Sequence, residues 1–217
     1  HLWRRAIGIF QLKVPREKLA RLNVLGFGGG GSELFLVLVK HEGHRAIFCS
    51  GSPERRAHLE GLGIESLDQK AYHRFASPDD VKAFNKAVKG MTGGEGAHIV
   101  CDMMRGPVFA AGLAALARCG VNVSSGWQID KKVSYDSAGL SVRQITLDHM
   151  HYDTIDGCSA ATSLYGSVFK PTVHSEIYRF EDLPRCFEEL KLNVQTGIPI
   201  VQVASQLPAS VRSLIPR

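Results

Sequence analysis

Long apolar runs are missing from this chain: none reaches the roughly 18 residues that a membrane-spanning helix needs. No signal-peptide pattern opens it either. CxxC pairs are also missing, and the five cysteines (Cys49, Cys101, Cys119, Cys158, Cys186) are scattered. That pattern argues against a zinc ribbon or a redox dithiol. Spread thiols of odd number fit a reducing compartment, so a cytoplasmic location is expected. There is no dense Lys/Arg block, and a net charge of +5 is modest, which argues against a nucleic-acid binder but suits a phosphorylated ligand. No cluster of Cys and His stands at metal-ligand spacing, so no metal site is expected. The histidines have no G-x-S-x-G elbow to accompany them, which leaves hydrolase chemistry without support. Internal repeats and low-complexity linkers are absent. The first residue is His1 rather than Met, as expected of a piece of a longer product. What remains is ordinary for a globular protein: 217 residues, 44% hydrophobic and 22% charged.

What is present is alternation. Apolar spacing over residues 2–10 predicts a helix, and Pro15 restarts the chain. Residues 22–25 read as a short strand ended by glycines, and 34–43 as a helix. Residues 46–49 read as a buried strand, and 53–62 as a helix with Ser52 as N-cap, Pro53 at the first helical position and Gly63 just past the end. A short strand at 65–67 follows, then a helix opened by Ser77-Pro78-Asp79-Asp80 and running to about Lys89. After the loop "MTGGEG" come a strand at 97–103, a helix at 109–117, a turn at Gly120 and a fourth strong strand at 121–124. Cys101 and Cys119, in or beside these strands, read as core. Strand and helix in alternation with short connections predict an α/β fold, a parallel sheet covered on both faces.

The glycines at 26, 28, 29, 30 and 31 fall at the first strand-to-helix turn. Gly26-x-Gly28-x-x-Gly31 has the spacing of a dinucleotide-binding turn, where glycine lets the backbone approach a diphosphate and the helix N-terminus meets its charge. The strand before, the helix after and a second strand about 20 residues on supply the context such a turn requires. At the end of that second strand an acidic residue would select NAD. Here the sequence is "CSGSPERR", with hydroxyls at Ser50 and Ser52 and a guanidinium at Arg55 or Arg56. That set suits a 2′-phosphate, so NADP(H) is the expected cofactor.

The run "NVLGFGGGGS", "SGSPERRAHLEGLGIE", "MTGGEGAHIVCD", "LARCGVNVSSG", "VRQITLDHM" and "VFKPTVHSEIYRFEDLPRCFEELKLNVQTGIPIVQV" resembles the cofactor domain of the medium-chain dehydrogenase/reductase superfamily. Within it, the resemblance is to the crotonyl-CoA carboxylase/reductase, or enoyl-thioester reductase, branch. It implies a Rossmann-type doubly wound parallel sheet over residues 1–165. A small C-terminal remnant of the catalytic domain would follow at 166–203, then a tail at 204–217, the N-terminal catalytic domain being missing. It implies that Gly26, Gly29 and Gly30 line the pyrophosphate turn and that Ser50, Ser52 and Arg55 meet the adenosine 2′-phosphate, with Lys70 a second cation. Ser124, Ser125 and Gly126 would lie beside the nicotinamide. His149 falls where carboxylating members have a histidine beside the site of carbon dioxide capture; its other reading is a polar residue at a strand end. The stretch 131–149 resembles the region through which such enzymes form a homodimer.

The departures from this resemblance are specific. In the branch's G-x-x-G-x-x-G register the third glycine is Ser32. Glu33 puts a carboxylate at the turn, which costs diphosphate binding unless it swings to solvent. Arg105 and Cys119 stand where related chains usually have glycine, and Asn122 interrupts an apolar strand. Three readings stay open: part of an NADPH-dependent enoyl-thioester reductase acting on an enoyl-CoA or carrier-protein substrate; a quinone or alcohol oxidoreductase of the same superfamily; or a non-catalytic nucleotide-binding scaffold in a larger biosynthetic enzyme.

Overall fold

A computed structural model of the chain describes residues 2–15, 20–125, 133–150, 155–168, 170–192, 195 and 197–203. The chain forms two compact units, His1–Val168 and Phe169–Arg217.

The first unit is built on a six-stranded sheet of β1 (Asn23–Phe27), β2 (Arg45–Ser50), β3 (Glu65–Asp68), β4 (Ala97–Asp102), β5 (Leu116–Ser124) and β6 (Thr146–His149). The strand order is β3-β2-β1-β4-β5-β6, and every pairing is parallel. That is the doubly wound order, whose direction of winding reverses between β1 and β4 and leaves a crevice beyond their carboxyl ends. Parallel neighbours need crossover connections, and the helices supply them: α2 (Gly31–His41), α3 (Pro53–Gly61), α4 (Pro78–Met91), α5 (Pro107–Ala115) and α6 (Ser137–Arg143), after a leading α1 (Leu2–Gln11) and before α7 (Ile155–Ser163).

Side chains alternate across the strands and so build two cores. Val24, Phe48, Ile99, Val121 and Val123 pack with Trp3 and Phe10 of α1 and Leu36 of α2 on one face. Leu25, Phe27, Ile47 and Val100 pack with Phe84 of α4 and Phe109 of α5 on the other. Each such side chain contributes about 1.5–3 kcal/mol when fully buried. Local signals start the helices as expected. The Ser52 hydroxyl accepts from the Arg55 N–H at 3.3 Å, and Ser77 and Asp80 form a reciprocal capping box at 3.2 and 3.0 Å.

Several boundaries differ from the sequence reading. Strand β1 does not stop at the first glycine but runs through Gly26 and Phe27, which pair with Phe48 and Cys49 of β2 and with Cys101 and Asp102 of β4; a Cβ on Gly26 would come within 2.9 Å of Leu36 Cδ1. Glycine there serves close strand–helix packing. Helix α2 starts at Gly31 rather than Leu34, with the Ser32 hydroxyl buried and donating to the Phe27 carbonyl. Helix α5 begins at Pro107 and ends at Ala115, so Leu116 and Ala117 belong to β5. Gly120 is accordingly inside β5 rather than a turn before it. Between two paired positions β4 advances from Ala97 to Ile99 while β5 advances from Leu116 to Val121. The extra residues form a bulge that holds Cys119 at φ 64° and, half-exposed, outside the core expected for it.

Helix α1 fastens the far edge of the sheet. Arg5 meets Asp148 of β6 in a two-pronged contact at 2.5 and 2.9 Å, and the Trp3 indole N–H donates to Glu42 at 2.6 Å. Among the described residues, no helix is long and apolar enough to cross a membrane.

The second unit holds β7 (Val173–Arg179), α8 (Leu183–Leu192) and β8 (Ile198–Gln202), the two strands pairing in parallel. The resemblance implied a helix and a strand here; a second strand precedes them. Tyr178 and Cys186 are buried, the Tyr178 hydroxyl bonding Glu189 and accepting from Gln195 Nε2 at 2.8 Å.

Candidate functional site

Gly28, Gly29 and Gly30 form the turn between β1 and α2, at the reversal point of the sheet, with Gly26 inside β1 and Gly31 opening α2. Gly28 and Gly30 adopt φ values of 99° and 33°, the left-handed region that favours glycine. Gly30 is the N-cap of α2 and carries no side-chain cap. A Cβ on Gly30 would meet nothing within 4 Å, so the turn is open there. The positive dipole end of an 11-residue helix lies at that turn, with its Ser32 N–H bonded to the Gly29 carbonyl at 3.0 Å. Ser32, the departure from the glycine register, is accommodated by its hydrogen bond to Phe27.

Glu33 does not swing to solvent, as a bare diphosphate turn would require. It is 8% exposed, and its carboxylate lies 3.9 Å from the Arg55 guanidinium. Burial pushes its pKa up, and Arg55 and His58 pull it back. The Arg55 guanidinium lies against Gly29, in the space a Cβ there would take.

Around the start of α3 the other expected phosphate ligands gather. Ser50 Oγ accepts from the Ser52 N–H at 3.2 Å, and Ser52 Oγ donates to Glu54 at 2.8 Å. Lys70 is exposed, and its stem runs beside Gly51. Arg56, the alternative to Arg55, is turned inward: it donates to the Ser50 carbonyl at 2.7 Å and to Asp68 at 3.1 Å. Asp68 ends β3 beside Ser50, and its Oδ1 accepts from Arg56 and from the Lys70 N–H, the latter at 2.9 Å.

At the opposite end of the crevice the strand register sets Phe27, Asp102, Ser124 and His149 abreast on β1, β4, β5 and β6. Asp102 is fully buried. Its Oδ1 accepts from the Met104 and Arg105 N–H groups at 2.8 and 2.9 Å, while Oδ2 has no partner. Ser124 Oγ, Arg105 Nε and both amide atoms of Asn122 are buried without partners as well. Orphaned polar atoms in such number mark a place that water or a polar ligand completes. Burial raises the Asp102 pKa against the pull of two backbone N–H groups, Arg105 and His149. His149 is exposed at its strand end and stacks on Phe109 with ring centroids 6.2 Å apart. Its pKa is lowered, first by burial and then by Arg105, so its imidazole is neutral at neutral pH. Ser125 follows β5 directly, half-buried, and Gly126 lies outside the described residues.

The structure therefore places Gly28–Gly31 at one turn and Gly26 in the strand before it, Ser50, Ser52 and Lys70 around one helix start, and Ser124 and His149 in one row. Arg55 joins the turn rather than the Ser52 hydroxyl. Asp102 and Met104 were not singled out from the sequence, and Arg56, the alternative to Arg55 there, is bound by protein. The available signal for Asp102 was an acidic residue closing a strand that is otherwise apolar. In the second unit the ligand atoms of His174, Glu176 and Glu189 come within 4.8 Å of one another, but Arg185 binds both carboxylates, at 2.5 and 3.0 Å. That cluster is an ion-pair network.

No known family profile and no curated protein matches the chain. Solved structures do. A crotonyl-CoA carboxylase/reductase, AntE in complex with NADP, superimposes with a TM-score of 0.79 at 19% identity, over 94% of this chain and 54% of that one. An NAD-dependent alcohol dehydrogenase gives 0.74 at 20% identity, over 94% and 55%. A mycobacterial quinone oxidoreductase gives 0.66 at 20%, over 90% and 61%. The fold is Rossmann-type. The chain spans about half to three-fifths of the length of these structures.

Proposed function

We propose that this chain is the cofactor-binding part of an NADP(H)-dependent oxidoreductase of the medium-chain dehydrogenase/reductase type, acting on an enoyl thioester of coenzyme A or a carrier protein. One observation carries the cofactor half of this reading. An open glycine turn at Gly30 lies beside a second strand that itself ends in Ser50 rather than a carboxylate, with Ser52 and Lys70 close by and Glu54 held on the Ser52 hydroxyl. The likeness to a crotonyl-CoA carboxylase/reductase in complex with NADP supports the substrate half.

The residues fit such a cofactor. The glycine turn and the start of α2 hold a diphosphate, and the cations at the start of α3 offset its charge. The unpartnered Asp102, Ser124 and Arg105 atoms accept a polar ring substituent at the other end. A bound nicotinamide supplies the hydride, and the protein's work is positioning and electrostatic stabilisation. His149, neutral and at the mouth of the row, is placed to accept a hydrogen bond or proton from a substrate group. Strand β6 ends the sheet on that side, and an edge strand calls for a partner or protection; the homodimer proposed for residues 131–149 fits this.

Hydride transfer needs the substrate held about 3–3.5 Å from the nicotinamide in a site that excludes water. In the resemblance that cleft has a second wall from another domain. The 217-residue chain alone is therefore expected to oxidise NADPH with crotonyl-CoA far below the roughly 1–10³ s⁻¹ of ordinary enzymes. The natural chain that contains these residues is expected to turn over crotonyl-CoA and not a quinone. Single-turnover NADPH absorbance with each substrate is the test. Oxidation by the quinone alone would move the protein to the quinone-reductase reading.

A further inference from the structure

We propose that helix α1 is a pH-sensitive strap. Two unprotonated histidines, His44 and His98, hold it on the sheet, and their protonation on mild acidification shifts α1, and with it the edge strand β6, toward release.

The start of the central strand sets the condition. The N–H of buried Leu22 donates to His44 Nδ1 at 3.3 Å, and the N–H of buried Asn23 donates to His98 Nδ1 at 2.9 Å. His44 stands just before β2 and His98 lies within β4, so the two imidazoles flank β1 on either side. A ring nitrogen accepts a hydrogen bond only while it carries no proton. An imidazolium at either place would set N–H against N–H and leave a buried donor without its acceptor, which is costly. Glu42 acts on His44, and Glu95 faces His98 Nε2 at 3.4 Å; each carboxylate favours protonation. At His44 burial outweighs Glu42 and the pKa is lowered.

The same two rings carry α1. Trp3, in its first turn, lies against His44 with ring centroids 5.2 Å apart, and Phe10, in its last, lies against His98 at 5.4 Å. Both aromatic side chains are buried there. A ring face attracts an imidazolium, but that attraction does not replace the acceptors lost by two buried N–H groups. Protonation therefore works against the seat of both ends of the helix.

Helix α1 has little of its own to keep it formed. It is 10 residues long, with no acidic residue in its first turn and no basic one in its last. A helix this short is marginal without its packing. Its other polar anchors lead to β6: Arg5 holds Asp148, and Lys13, just beyond the helix, donates to the Gln144 carbonyl at 3.0 Å and to the Thr146 hydroxyl. Strand β6 pairs with β5 alone and ends in His149. What loosens α1 thus loosens the strand that carries His149.

The sign follows from linkage. The folded pKa of His44 lies below its unfolded value of about 6.5, so its share of the hold is full above that pH and is lost as pH falls through the folded value. Amide hydrogen exchange, read as protection relative to each amide's intrinsic rate, tests the strap. Between about pH 7.5 and about pH 5.5, protection in α1 and β6 is expected to fall roughly 10- to 100-fold, about tenfold for each histidine that stays unprotonated while the strap is closed. Protection in α4, on the opposite face of the sheet, is expected to hold. In His44→Asn/His98→Asn the asparagine oxygens take the acceptor positions without titrating, and the fall is expected to vanish. Should the double variant not fold, each single variant keeps one titrating histidine and is expected to show a smaller fall than the wild type. No fall in α1, a fall shared equally by α4, or one undiminished in the variants overturns the proposal.

Discussion

Asp102 has one carboxylate oxygen held by two backbone N–H groups and the other buried with no partner. Burial raises its pKa. A carboxyl whose folded pKa lies above its unfolded value of about 3.9 holds its proton longer in the folded state. Its stabilising contribution is full below pH 4 and is lost as pH rises through the folded pKa. His149 has the opposite sign: its folded pKa is depressed, so its contribution is present above pH 6.5 and is lost as pH falls through the folded value. Asp102→Asn keeps the acceptor for Met104 and Arg105 but cannot ionise. Urea unfolding should show the stability difference, variant minus wild type, growing as pH rises from 4 to 7. The growth is about 1.4 kcal/mol for each unit by which the pKa is raised. A difference that stays flat across that range would contradict the picture of a reluctantly ionised carboxyl. Residue roles of this kind were only partly legible in the sequence. Ser52 was readable as a cap because capping is local, and Gly28 and Gly30 because a turn needs their φ. Where Arg55 points was not readable, because it depends on how closely α2 and α3 approach, and residue order does not state that distance. Asp102 read as one more strand residue for the same reason.

Elements show the same division. Amphipathic spacing and N-caps gave α1, α3 and α4 nearly whole, since those signals are local. The misread boundaries all sit where a tertiary contact decides. Gly26 extends β1 because β2 and β4 pair with it, Ser32 extends α2 because Phe27 offers a carbonyl, and Leu116 leaves α5 because β4 pairs with it. The bulge in β5 is the clearest case. Cys119 occupies a left-handed conformation where the resemblance expects glycine, and its thiol donates to Gln144 at 3.1 Å in an exposed contact. A non-glycine residue costs roughly 1–2 kcal/mol there. Glycine's greater freedom in the unfolded chain offsets about 0.5–1 kcal/mol of that. Cys119→Gly is therefore expected to stabilise the protein by roughly 0.5–1 kcal/mol, read from the urea midpoint at unchanged m-value. An equal or lower midpoint would show that the bulge is not strained at this residue. Arg105 shares the conformation at φ 61°, but its nearness to Asp102 and His149 makes it a poorer probe of backbone strain alone.

For the molecule as a whole, the strand order puts one crevice between the carboxyl ends of β1 and β4, and the charged and hydroxylated side chains collect along it. The turn, the α3 start and the Asp102–Ser124–His149 row are far apart in sequence and share that edge because every strand runs the same way. Parallelism was legible from the alternation of elements. The unpartnered polar row was not, since it arises from register across four strands. The central claim is that this edge holds an NADP-type dinucleotide, and titrating NADPH and NADH calorimetrically into the wild-type 217-residue chain tests it most directly. The account predicts saturable binding of one nucleotide per chain, with NADPH about tenfold or more tighter than NADH, the worth of one charge-assisted phosphate contact. No heat from either nucleotide, or equal affinity for both, would contradict it.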